Sequence, residues 1–356
     1  MESINNDEHV TNMSRDIPDM TMASSHIVIL LVAFVPLSLC IVIGNLLVMA
    51  AVYRENRLHT PTNFILASLA VSDFVQGALT IPSELYTDAE THTMDCFKMT
   101  YMLAPSYFMS GVSLMHQIIV TLDRLIAVTW PLRYCDFVTK RRVAMTIVSV
   151  WIGGSCPACA FLYVWITSLA DSIDHQVGQC GGGAYFNTPA ILKFELALAL
   201  LVCIGLLMLT SFNLYIWRVA ARQARQIRDQ ARGMNAAQKQ RRLGNIQATK
   251  TVLGIVGTFV VSWTPVTIFF FISPQINNNL TYEERFIINQ LSFFFICVNS
   301  AINPIIYGWK NKEFRWGLIK LLSALKLPCI RAKKMVQQNI AESTRASSVG
   351  MVGVDM

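Results

Sequence analysis

Charge is scarce in this sequence: only 14% of its 356 residues are Asp, Glu, Lys or Arg, against 53% hydrophobic, and the mean hydropathy is +0.44. A soluble globular chain carries about 25% charged residues, so water is not this chain's only solvent. Cysteine is sparse as well. Nine cysteines are too few and too scattered for a disulfide scaffold, and no C-x-x-C pairs with histidines at zinc-ligand spacing. Cys156-Pro157-Ala158-Cys159 does read C-x-x-C, but it sits in an apolar run, which disfavours a redox or metal role. No short apolar run with a small-residue cleavage site opens the chain, so no cleavable signal peptide is expected. The polar residues 1–26 instead hold an N-glycosylation acceptor, Asn12-Met13-Ser14,.

What the chain does have is length of apolar run. A helix crosses hydrocarbon with about 20 apolar residues, and seven runs qualify, at about 27–52, 62–86, 99–129, 142–168, 190–218, 248–273 and 285–308. The expected fold is all-α: one seven-transmembrane helix bundle over 27–308, preceded by an extracellular tail at 1–26. Residues 309–323 follow as an amphipathic surface helix, because the apolar positions between Asn311 and Leu322 share one face,. A cytoplasmic tail, 324–356, completes the chain.

Orientation follows from Lys and Arg in the loops. Of 29 such residues, all but Arg15, Lys98, Lys193 and Arg285 fall on one side. That asymmetry puts the N-terminus outside and the C-terminus in the cytosol, and an odd number of spans satisfies it. It also accounts for the net charge of +7 without a nucleic-acid partner. The basic stretch 219–247 reads as a solvated positive-inside loop that extends the fifth and sixth helices.

Ionisable groups are costly inside a membrane and usually mark function. Asp73 stands in the middle of the second span, and Asn45, Ser113, Asn299, Ser300 and Asn303 are polar residues at comparable depth. A carboxylate among neutral oxygen donors suits a hard monovalent cation. A hydrogen-bonded knot between helices fits the spacing equally well. Asp123-Arg124-Leu125 ends the third span and on its own could be a local ion pair. Ser262-Trp263-Thr264-Pro265 and Asn303-Pro304-Ile305-Ile306-Tyr307 place prolines within the sixth and seventh spans, where each removes a backbone hydrogen bond and favours a kink.

Taken in order, these residues resemble the rhodopsin-like (class A) G-protein-coupled receptors, from about residue 27 to residue 323. The match includes Gly44-Asn45, the Leu-Ala-Val-Ser-Asp73 run, Asp123-Arg124-Leu125 with Pro131-Leu132, and Trp151. It continues with Tyr215, Phe259 with Trp263-Thr264-Pro265, Asn299-Ser300 before Asn303-Pro304 and Tyr307, and Phe314 on the surface helix. The resemblance implies a plasma-membrane receptor for an extracellular small-molecule ligand. It would activate heterotrimeric G proteins by outward movement of the sixth helix.

Residue by residue, it implies an allosteric sodium ion at Asp73, Ser113, Asn299, Ser300 and Asn303. Arg124, beside Asp123, would meet the G protein. Trp263 would sense ligand, Pro265 would be the pivot, and Tyr215 and Tyr307 would stabilise the open state. Cys96 and Cys180 would form a disulfide. Cys329 is a palmitoylation candidate, with an unmodified thiol as the alternative. Ser343, Thr344, Ser347 and Ser348 could accept phosphates from receptor kinases and recruit arrestin.

The chain departs from the family in four places. Leu125 replaces a commoner tyrosine, and Leu207 stands near the place of the usual fifth-span proline. Cys96 lies three residues further from Arg124 than is usual, so the outer end of the third helix should be reshaped. Finally, Asn245 occupies the place of the sixth-helix acid that often holds the arginine, and no acid occurs between Asp229 and Glu283. A weak inactive-state latch and measurable basal signalling are expected from that last departure.

The third-helix position that carries an aspartate in amine receptors is Ser106 or Leu103, depending on register. An ordinary amine-binding mode is therefore disfavoured, and Glu84, near the outer end of the second span, remains the acid that could face a pocket or else solvent. The expected pocket is Glu84, Ser106, Tyr107, Ser110, Thr267, Phe270, Phe293 and Cys297. Its aromatic walls and small hydroxyls suit a small organic ligand, whether an amine, a nucleoside-like compound or a lipid. Retinal is excluded because the seventh span has no Schiff-base lysine; Cys297 stands in its place. A transporter would need a relay of mid-membrane acids or an inverted repeat, and neither is evident. His116, alone in the third span, reads as packing rather than catalysis, so no enzyme is expected. A receptor-like scaffold without G-protein coupling remains the alternative.

Overall fold

The computed structural model describes residues 20–90, 96–173, 189–229, 236–276, 281–310 and 312–324. The described residues are almost entirely helical. Helix α1 (Met20–Arg54) leads through a 3₁₀ turn to α2 (Pro61–Val75), a π-helical turn at Gln76–Thr80 and α3 (Ile81–Ala89). Helices α4 (Cys96–Thr129), α5 (Tyr134–Phe137), α6 (Lys140–Gly154) and α7 (Cys156–Ile173) follow. The order ends with α8 (Pro189–Asp229), α9 (Ala236–Ile276), α10 (Tyr282–Lys310) and α11 (Lys312–Ala324). Among the described residues, seven stretches are long and apolar enough to cross a membrane: His26–Arg54, Pro61–Ala89, Phe97–Thr129, Lys140–Ser168, Pro189–Gln226, Thr249–Ile272 and Phe286–Trp309.

Two spans that read as single runs in the sequence are interrupted, each beside a proline. In the fourth, Pro157 lacks an N–H and its ring opposes the carbonyl four residues earlier. The helix accordingly stops at Gly154 and restarts at Cys156, with Ser155 N–H donating to Ile152 O at 3.2 Å. In the second, Pro82 follows a widened turn over Gln76–Thr80. Ser38 Oγ crosses from the first span to cap the carbonyl of Gly77 at 2.8 Å. Capping threonines open two spans: Thr60 accepts from Asn63 N–H and Thr139 from Arg142 N–H,. The fifth span runs unbroken past Leu207, whose side chain points outward at 64% exposure. The third span is helical from Cys96 through Pro105, so the additional residues there enter as helix.

The burial pattern is the reverse of a soluble protein's. Val32, Ile43, Ile152, Ile204 and Val261 lie exposed on the outside, whereas Asn45, Asp73, His116, Gln117 and Asn303 are fully or almost fully enclosed. Such a surface matches hydrocarbon, and the polar interior is where backbone breaks can be satisfied. The main core joins Leu69, Val120, Leu209, Phe259 and Tyr307 from five of the spans, with Phe314 of α11 closing one end. The third and fourth spans approach closely at their glycines: a Cβ on Gly111 would stand 2.4 Å from the backbone oxygen of Gly154.

Candidate functional site

Functional side chains fall into three zones stacked along the bundle. The uppermost, at the pocket end, is a cavity of about 320 Å³. Glu84, Ser106, Tyr107, Ser110, Thr267, Phe270 and Phe293 all line it, with Trp263 among the surrounding residues. Cys297 does not. It is fully enclosed among Leu30, Phe34, Ile41 and Ile81, and its sulfur accepts a hydrogen bond from Gln76 Nε2 at 3.7 Å. The cause is helical phase. Phe293 and Ile296 face the cavity, and one residue further round the helix, about 100° on, points at the first and second spans.

The polar groups of this cavity are organised around carboxylates. Ser106 Oγ donates to Glu84 Oε1, so the acid reaches the third-helix position from the second span. Asp88, one turn beyond Glu84, accepts from Gln290 Nε2 at 2.9 Å and bridges the second and seventh spans. Glu195, on the fifth span, also lines the cavity. Asp88 and Glu195 were missed in reading the sequence, although both gave a signal. Asp88 is the i+4 neighbour of Glu84 on one helix face, and Glu195 is a lone acid in an apolar span. Tyr107 fixes the remaining wall by stacking on Phe161, with ring centres 4.0 Å apart.

The middle zone surrounds Asp73. Ser300 Oγ donates to its Oδ1 at 2.7 Å and Asn303 Nδ2 to its Oδ2 at 2.8 Å. Beside it lies a small void of about 10 Å³, bordered by Ser113, Asn299 and Ser300 as well as Asp73. That is close to the smallest space able to hold one water-sized body. The side-chain oxygens of Asn299 and Asn303 are buried with no donor. Of the two, only Asn299 borders the void; Asn303 reaches Asp73 from outside it. A carboxylate, two hydroxyls and one unsatisfied amide oxygen around a void are oxygen donors of the kind a hard cation takes, so Asp73, Ser113, Asn299 and Ser300 fit sodium. Asn45 does not join them. Its Nδ2 donates to the carbonyls of Ile41 at 2.9 Å and Ser300 at 3.2 Å, and its Oδ1, also buried with no donor, does not border the void. Ser110, Trp263 and Ile296 border both this void and the large cavity, so one layer is the floor of the first and the roof of the second.

The third zone is at the opposite end. Arg124, 7% exposed, folds back on its neighbour: its Nε donates to Asp123 Oδ2 at 2.9 Å, and its terminal nitrogen donates to Thr62 Oγ1. Asp123 Oδ1 accepts from Tyr134 OH at 2.7 Å and Oδ2 from Thr62 Oγ1 at 2.9 Å. Burial, with the Asp123 carboxylate adding to it, pushes the Tyr134 phenol up to about 12. Tyr134 therefore remains a donor at neutral pH. Nothing in the spacing of the sequence pointed to Thr62 or Tyr134.

The other expected switch residues are dispersed in this structure. Phe259 stacks on Trp263 with centres 5.3 Å apart, and Tyr307 is buried against Phe314 at 5.3 Å. Tyr215 lies at the surface, 48% exposed. Pro265 and Pro304 lie within continuous helices. His116 is held by Val112 O at 2.9 Å and Ser68 Oγ at 2.8 Å, and Trp151 Nε1 donates to the same hydroxyl at 3.1 Å. Asn12, Cys180, Cys329 and the tail hydroxyls lie outside the described residues, as do the side chains of Cys96 and Asn245.

Comparison with known proteins agrees with this layout. Residues 44–307 match the family described as 7 transmembrane receptor (rhodopsin family). Trace amine-associated receptor 5 of Mus musculus is 31% identical, over 79% of this chain and 81% of its own length. The adenosine receptor A2b of Gallus gallus is 25% identical over 86% and 90%. The 5-hydroxytryptamine receptor 1B of Cricetulus griseus is 27% identical over 83% and 87%.

Proposed function

The chain belongs to the rhodopsin-like (class A) family of G-protein-coupled receptors, and we propose that its ligand is a small organic amine bound beside Glu84. Its relatives are receptors rather than enzymes, and two of those compared are named for amines. The observation that carries the proposal is the Ser106–Glu84 hydrogen bond. The third helix lacks the carboxylate that pairs with an ammonium, but the second span delivers one to the same place. A charge-assisted contact at that point, with Tyr107, Phe270 and Phe293 as apolar walls, suits an amine on an aromatic or aliphatic body.

The proposed setting is the plasma membrane, with the N-terminus outside and the C-terminus in the cytosol, supported by the distribution of Lys and Arg,. A ligand resting on Trp263 would favour the bundle in which the sixth span swings outward about Pro265, a population shift rather than a mechanical push. Arg124 would then leave Asp123 and face a heterotrimeric G protein. Sodium at Asp73 would favour the closed bundle. Because ligand and ion would share the layer of Ser110, Trp263 and Ile296, each would weaken the other equally. Phosphates on the tail hydroxyls would recruit arrestin.

The test is nucleotide exchange on G proteins, in membranes containing the receptor, against a panel of primary and secondary amines. Activation by an amine that is lost in Glu84→Gln, at unchanged surface expression, supports the proposal. Activation confined to uncharged ligands overturns the amine assignment, and amine binding without exchange leaves a non-signalling scaffold.

A further inference from the structure

Among the described residues, three carboxylates and no Lys, Arg or His line the large cavity. They occupy two walls. Glu84 and Asp88 belong to the second span, whereas Glu195 belongs to the fifth, with the third span between. Ser106 and Tyr107 are consecutive residues of that third span, project about 100° apart, and meet different walls of the cavity. Ser106 donates to Glu84, while Tyr107 packs on Phe161 and on Phe194, the residue preceding Glu195. Glu84, Tyr107 and Glu195 all line the same cavity.

The two walls differ in how their acids are satisfied. Glu84 has a serine donor and Asp88 an amide donor, but Glu195 has no hydrogen-bond donor among the described residues. An unpaired carboxylate facing a membrane-embedded cavity is costly, and a monoamine at Glu84 would leave it so. The cavity floor gives a separate sign that an occupant belongs here. Trp263 is 5% exposed, and its indole N–H has no acceptor.

We propose that the ligand is a dication, one cationic group paired with Glu84 and Asp88 and a second with Glu195, joined by an apolar segment crossing Tyr107. The proposal rests on the amine assignment above and narrows it. The third span lies between the two walls and each helix-to-helix spacing is about 8–10 Å, so with side chains reaching inward the two charges should be separated by roughly 10–20 Å, between one spacing and two.

Purified full-length receptor in lipid nanodiscs would be titrated with α,ω-diaminoalkanes of increasing length and with the monoamines of the same lengths. Binding is read as ligand-dependent thermal stabilisation, which needs no G protein. The expected result is an optimum length at which the diamine binds at least about tenfold more tightly than its monoamine. Glu195→Gln should then remove most of that advantage, and Glu84→Gln should weaken both series. Equal affinity of diamines and monoamines at every length overturns the dication while leaving the amine assignment standing. Absence of binding by either series overturns both. Because the length series is run on the wild-type protein, it decides the question even where a variant fails to fold.

Discussion

Gly153 and Gly154 are adjacent in sequence, yet alanine at the two positions should shift stability in opposite directions. A Cβ on Gly154 would stand 2.7 Å from the backbone nitrogen and Cα of Val112 and 2.6 Å from its Cγ2. Ordinary carbon contacts need about 3.5–4.0 Å, so the fourth span would have to retreat by about 0.8 Å. Trp151 rides on the same helix, and its 3.1 Å hydrogen bond to Ser68 would lengthen beyond the usual range of about 2.7–3.2 Å. Overpacking of this kind costs about 1–3 kcal/mol, and the lost hydrogen bond about 0.5–1.5 kcal/mol. Gly153 has nothing within 4 Å of an added Cβ, so Gly153→Ala should gain up to about 0.5–1 kcal/mol from the stiffer helix. The assay is thermal unfolding of each purified variant, followed by tryptophan fluorescence. Gly154→Ala melting at or above the wild type, or Gly153→Ala falling as far as Gly154→Ala, would refute the close-approach argument.

Other perturbations give sharp outcomes. Tyr134→Phe removes the hydroxyl bond to the Asp123 carboxylate. Bonds to charged groups contribute about 1.5–3 kcal/mol, so ligand-free nucleotide exchange should rise by on the order of tenfold or until it saturates; unchanged exchange would contradict a holding role for that bond. Replacing sodium with a large organic cation should tighten amine binding by a factor within about 5–150, an effect absent in Asp73→Asn, and an identical response in that variant would remove the ion from Asp73. Neutralising Lys320, whose bridge to Glu55 spans 2.9 Å but whose side chain is 61% exposed, should change stability by less than about 1 kcal/mol. A larger loss on thermal unfolding would mean that α11 is held there by the ion pair rather than by Phe314 on Tyr307.

The spans and the motif residues were legible because hydropathy and proline act locally. Asp73, Ser300 and Asn303 could be placed together because each is a polar residue with no satisfactory alternative in a membrane. What escaped was set by rotation about helix axes. Cys297 and Ile296 are neighbours in sequence, but only Ile296 reaches the cavity, and no span boundary read from hydropathy resolves that angle. Asn45 was expected to converge on Asp73, but its amide nitrogen donates to backbone carbonyls. Thr62 and Tyr134 come from a helix start and an inter-span turn, where no periodicity marks which side chain meets Asp123. The break at Ser155 follows from Pro157, but the apolar composition of the run concealed it.

Arg124 is proposed as the element through which this receptor acts on a G protein. The most direct test is nucleotide exchange on a panel of heterotrimeric G proteins, comparing the wild type with Arg124→Ala at equal surface expression. No sixth-helix acid stands opposite the arginine, because the chain carries none between Asp229 and Glu283. Exchange above background without ligand, raised further by an amine and abolished in Arg124→Ala, is therefore the expected result. Silence of the surface-expressed wild type throughout, or exchange that persists undiminished in Arg124→Ala, would contradict it.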